Sequence, residues 1–151
     1  MTSAFRDHVT QWSKDMGRTV DYLETRKDID VTRLAYYGRS WGAVMGAILP
    51  ALEPRFKGGV LVVGGLFQQG TLPEAEQINF APRMKTPVLM LNGRYDYVFP
   101  VEGSQLPMFR LFGTPQKDKR HLLFETGHSI PRNELIKETL NWLDRYLGPV
   151  K

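Results

Sequence analysis

The chain has 151 residues, 42% hydrophobic and 24% charged, enough for one compact domain over residues 1–151 and too little for two. Its formal charge of +4 is scattered, and the densest basic run (Lys117, Lys119, Arg120) is broken by Asp118, which argues against a nucleic-acid face. With no cysteine and only three histidines, disulfides, thiolate chemistry and a Cys/His zinc site are excluded.

The apolar stretches are short and interrupted by charge, so no membrane span is expected. Met1 to Asp7 lacks the apolar core of a signal peptide, and with the absence of cysteine this points to a cytoplasmic setting. From the N-terminus, Val9, Trp12, Met16, Val20 and Leu23 recur at helical spacing and predict an amphipathic helix, with Arg26 and Lys27 near its negative pole. Arg33 to Tyr37 reads as a buried strand, followed by a Gly-rich turn at Gly38 to Gly42. Ala43 to Leu52 reads as a helix closed by Pro54.

Gly59 to Val63 is a second strand, apolar throughout as a strand covered on both faces should be. Gly64 to Ala81 is an irregular crossover with a short helix near Glu74. Pro87 to Leu91 is the third strand. Val101 to Phe112 holds a helix limited by Pro107, and His121 to Glu125 is the fourth strand. A last helix begins near Pro131, its apolar stripe formed by Leu135, Ile136, Leu140, Leu143 and Leu147. Strands joined by crossovers this long pair in parallel, and right-handed crossovers put helices on both faces. The predicted fold is α/β, a three-layer α/β/α sandwich on a parallel sheet of about four strands.

Three residues stand at the ends of these strands. Gly38-Arg39-Ser40-Trp41-Gly42 fits G-x-S-x-G, in which a serine occupies a tight strand-to-helix turn and its glycine neighbours, Gly38 and Gly42, stay small because backbones crowd there. Asp96 lies in the loop after the third strand, at the carboxyl edge where ligands bind in parallel sheets. His128 follows the fourth strand, whereas His8 starts a helix and His121 enters a strand, so these two are read as structural. Taken singly, each could be an ordinary turn residue. Together they stand in the order Ser, Asp, His on one rim of the sheet, which suits a nucleophile, an orienting acid and a general base.

From Val31 onward, "RLAYYGRSWGA", "TPVLMLNGRYDYVFP" and "FETGHSIPRNELIKETLNWLDRYLG" resemble α/β-hydrolases of the dienelactone hydrolase and prolyl-oligopeptidase-like type, including modules found fused to bacterial serine/threonine kinases. The resemblance implies Ser40, Asp96 and His128 as the catalytic triad, with no metal or organic cofactor. It also implies a truncated α/β-hydrolase fold, because the four strands match the later ones of such enzymes and the N-terminal strands are absent, along with the loop that carries a His-Gly oxyanion motif. The backbone N–H of Trp41 is then the remaining oxyanion donor, and loss of one such donor lowers turnover on the order of 100- to 1000-fold. A missing N-terminal half, or a second chain, would complete the sheet beside Arg33 to Tyr37.

Trp41, Tyr95, Tyr97 and Phe99 are candidates for an apolar substrate pocket. The expected activity is cleavage of small carboxylic esters, by analogy with the common use of the fold. The alternatives are a serine peptidase and a non-catalytic binding module.

Overall fold

The computed structural model describes residues 3–149. Its centre is a four-stranded sheet of β1 (Ala35–Arg39), β2 (Gly58–Val62), β3 (Val88–Gly93) and β4 (Lys119–Phe124), in that order and parallel throughout. The helices are α1 (Ser3–Glu24), α2 (Trp41–Met45), α3 (Leu49–Leu52), α4 (Gln77–Phe80), α5 (Leu106–Leu111) and α6 (Arg132–Leu147).

Alternation along the central strands builds two cores. Leu61, Val88 and Met90 face a layer that includes Val9 and Val20 of α1, Ala43 and Met45 of α2, and Met108 of α5. Val60, Val62, Leu89 and Leu91 point the other way, onto Trp142, Leu135, Leu143 and Tyr146 of α6. The three-layer α/β/α sandwich expected from the strand and helix order is present, with β2 and β3 buried along their whole length.

Several boundaries differ from the sequence reading, each for a local reason. β1 begins two residues later than expected because Val31–Arg33 forms a 3-10 turn, capped by the Asp30 carboxylate accepting from Thr32 N–H at 3.0 Å. The strand then runs through Gly38 and Arg39 directly to the serine. The helix expected over Ala43 to Leu52 is broken between α2 and α3, since Pro50 at the second position of α3 has no N–H to continue the ladder. Pro107 acts likewise in α5, and the residues ahead of it, Val101–Gln105, wind as a π-turn in which Gln105 N–H reaches the Pro100 carbonyl at 3.2 Å.

The expected stripe of α6 is also partly displaced. Trp142 is its buried anchor, while Ile136 and Leu140 are exposed. They lie beside Tyr37 of the edge strand β1, which is itself 52% exposed. Tyr37, Leu135, Ile136, Thr139 and Leu140 line an apolar trough of about 220 Å³ there. At the far end of α6, the Arg33 guanidinium donates to the carbonyls of Leu147, Gly148 and Pro149, satisfying C-terminal groups that a helix leaves unpaired and fixing α6 to the entrance of β1. No helix among the described residues is long and apolar enough to cross a membrane.

Candidate active site

The carboxyl ends of β1, β3 and β4 each deliver one polar side chain to a common point. Ser40 sits between β1 and α2 with φ 52° and ψ −111°, a backbone conformation uncommon for a residue with a side chain. The turn is held by Ser40 N–H donating to Val62 O at 2.8 Å and by Ala43 and Val44 N–H donating to Ser40 O at 2.9 and 3.0 Å. Gly38 is required in this geometry, since a Cβ there would collide with the carbonyl of Gly42. Gly42 differs from expectation: a Cβ at that position meets nothing within 4 Å. The crowding between the two glycines falls on one side only, because Gly42 presents its carbonyl rather than its Cα to Gly38. That same carbonyl accepts from Tyr36 Oη at 2.6 Å, and burial pushes the Tyr36 phenol up to about 12.

Asp96 follows β3 in a tight loop. Its side chain is 0% exposed, yet both oxygens are satisfied: Oδ1 accepts from Val98 N–H at 2.9 Å and Phe99 N–H at 3.2 Å, and Oδ2 lies 2.8 Å from His128 Nδ1. His128 Nε2 lies 2.9 Å from Ser40 Oγ. The imidazole is 26% exposed, so solvent reaches the pair through His128 and not through Asp96. The structure thus brings together the three residues that the strand-end argument singled out.

The loops of Asp96 and His128 are in backbone contact. Arg94 N–H donates to Phe124 O at 2.8 Å and Tyr95 N–H to Thr126 O at 2.9 Å, and a Cβ on Gly93 would run into the carbonyls of Gly127 and Thr126. Asn92, fully buried at the end of β3, donates to Gly64 O at 2.8 Å and ties this corner to the end of β2.

The four aromatic candidates separate. Trp41 is 40% exposed beside Ser40, packed edge-on against Phe5 and Trp12 of α1 and Phe67, with ring centroids 6.0, 6.4 and 5.4 Å away. Phe99 is buried, its ring 5.9 Å from the His128 ring, so it backs the imidazole and does not open to a cavity. Tyr95 donates its hydroxyl to Glu125 at 2.5 Å, and Tyr97 is 85% exposed. Both stand at the rim. Sequence reasoning missed Phe5, Trp12 and Phe67 as neighbours of Trp41 because their proximity depends on how α1 and the Gly64–Ala81 crossover fold back. It also missed Gln105 and Asn92, whose amides look like surface polar groups in sequence. Among the described residues, no group of three or more His, Cys, Asp or Glu side chains is placed to hold a metal ion.

No family model and no curated protein matches the chain. Solved structures do. An esterase described as cold-adapted, from an Arctic intertidal metagenomic library, matches at TM-score 0.74 and 27% identity, over 88% of this chain and 57% of its own. An acetyl xylan esterase from Paenibacillus sp. R4 matches at TM-score 0.76 and 19% identity, over 91% of this chain and 52% of its own. An α/β-hydrolase from Penicillium sp. sh18 matches at TM-score 0.77 and 12% identity, over 93% of this chain and 73% of its own. The parallel sheet, its flanking helices and these likenesses show that the chain has part of the α/β-hydrolase fold. It spans just over half the length of the two esterases.

Proposed function

We propose that this chain carries the reacting groups of a serine hydrolase that cleaves carboxylic esters through an acyl-enzyme on Ser40. The observation that carries the reading is the unbroken line Asp96–His128–Ser40, at 2.8 and 2.9 Å. His128 Nε2 takes the proton from Ser40 Oγ as the oxygen attacks the ester carbonyl carbon. Asp96 keeps the proton of the neutral ring on Nδ1 and stabilises the imidazolium that forms. The tetrahedral intermediate collapses with transfer of the His128 proton to the departing alcohol. Water, deprotonated by the same nitrogen, then releases the acid and regenerates Ser40.

Trp41 N–H is the oxyanion donor within the chain. As the first residue of α2, immediately after Ser40, it has no intrahelical acceptor, which suits an oxyanion donor. The Trp41 ring, backed by Phe5, Trp12 and Phe67, forms one wall for an apolar acyl or alcohol group, with Tyr95 and Tyr97 at the rim. A second oxyanion donor and a further strand on the open edge of β1 come, in this reading, from an N-terminal half or a second chain. The unpaired edge and the partial span of the matched esterases support this. The lack of cysteine fits a cytoplasmic setting.

A fluorophosphonate probe tests the central step. The wild-type chain is expected to take up one label at Ser40, and Ser40→Ala none. Folded wild-type protein that stays unlabelled, or a Ser40→Ala variant that labels equally, would overturn the reading. A panel of p-nitrophenyl esters and peptide p-nitroanilides then separates esterase from peptidase.

A further inference from the structure

Gln105 is the last residue of the π-turn ahead of α5, and it is fully buried although nothing in the proposed chemistry uses it. Its side-chain amide has two hydrogens, and both are used: Nε2 donates to Gly93 O at 3.0 Å and to Phe99 O at 2.7 Å. These two carbonyls open and close the loop that carries Asp96, so one amide bridges the loop's ends. The amide's orientation follows from chemistry, since the reverse placement would set Oε1 against two carbonyl oxygens.

The Phe99 peptide is the link to the acid. Its carbonyl is held by Gln105, and its N–H donates to Asp96 Oδ1 at 3.2 Å. The ring of the same residue lies 5.9 Å from the His128 ring, tilted by 34°. Any shift of residue 99 therefore reaches the carboxylate and the imidazole together. We infer that Gln105 is a positioning residue, which clamps the 93–99 loop so that Asp96 and His128 meet Ser40 in register; the inference rests on the serine-hydrolase reading above. Without the clamp, the buried Phe99 carbonyl loses its donor and the Gly93 carbonyl keeps only the long 3.4 Å bond from Asp96 N–H, so the loop relaxes to find another partner. A displacement near 1 Å in such a chain slows the chemical step by about 100-fold while leaving binding little changed.

The test is a double-mutant cycle on the 151-residue chain, read as the rate of fluorophosphonate labelling of Ser40. Gln105→Met keeps length and volume but has no donor. Its limiting labelling rate is expected to fall by about 10- to 100-fold with the half-saturating probe concentration unchanged. In an Asp96→Ala background the same substitution is expected to change the rate by less than about twofold, because a residue that acts through Asp96 has nothing left to position. Gln105→Asn, one methylene shorter, should lie between, and it carries the same cycle if Gln105→Met does not fold. An unchanged rate in Gln105→Met, or an equal loss with and without Asp96, overturns the positioning role and leaves the hydrolase reading intact. Absence of labelling in folded wild type overturns the hydrolase reading, and the positioning role with it.

Discussion

At the residue scale the serine turn is a backbone problem solved by one glycine. Ser40 holds φ 52°, and the chain on either side comes so close that Gly38 faces the Gly42 carbonyl with no space for a methyl group. A Gly38→Ala variant must open that contact, which also supports the 2.6 Å bond from Tyr36 Oη. We expect a loss of about 1–3 kcal/mol in urea unfolding, the range for overpacking a closed site. Gly42→Ala meets open space at a helical position, where alanine is favoured over glycine by about 0.5–1 kcal/mol, so its stability should hold or rise. Equal losses for the two variants would contradict the one-sided crowding. The G-x-S-x-G pattern names both glycines alike, and only the direction of each Cβ tells them apart.

At the element scale β4 carries a histidine that works against acid. His121 lies under Phe109 of α5, ring centroids 5.6 Å apart, with its Nε2 buried and unpartnered. Burial lowers it from 6.5 to about 4, since the charged form loses its hydration there. Between those two values the unfolded chain binds a proton that the folded chain does not, so stability is complete above pH 6.5 and falls as the pH drops toward 4. The loss is on the order of 3 kcal/mol. Urea unfolding at pH 7 and pH 4.5 should show it, and His121→Phe should flatten the difference. A wild-type profile no steeper than that of His121→Phe would refute this account.

The reading of His121 as structural came from its place at a strand entrance, and that much was legible. So were the elements themselves, because periodicity marks α1 and α6, and the apolar runs mark β2 and β3. The breaks at Pro50 and Pro107 were less so, since a proline can sit in the first turn of a new helix as easily as it can end an old one. Ser40, Asp96 and His128 could be singled out because each ends a strand. Gln105 and the Trp41 neighbours could not, because their roles depend on which backbone atoms a folded loop presents.

At the scale of the whole molecule the sheet is asymmetric. Both β1 and β4 are edge strands; β4 has Phe109 of α5 packed on His121, while β1 adjoins exposed Tyr37, Ile136 and Leu140. An uncovered strand edge beside an apolar trough invites pairing with other chains. The isolated chain is therefore expected to self-associate with rising concentration, as followed by light scattering, and Leu140→Glu to reduce this with a stability change within about 0.5 kcal/mol. Association that is unaffected by Leu140→Glu would locate the sticky surface elsewhere.

The same asymmetry governs how the rim responds to motion. The loops bearing Asp96 and His128 are joined through Arg94, Tyr95 and the packed backbones of Gly93 and Gly127, whereas Ser40 hangs from β1, two strands away. Asp96 and His128 are thus joined directly through their loop backbones, and Ser40 reaches them only through β2, by its N–H on Val62 O and the Asn92–Gly64 bond. A shear of β1 and β2 against the rest of the sheet would lengthen the gap between imidazole and hydroxyl, and it is resisted at the same seam by the Asn92–Gly64 bond and by Val63 N–H on Leu91 O.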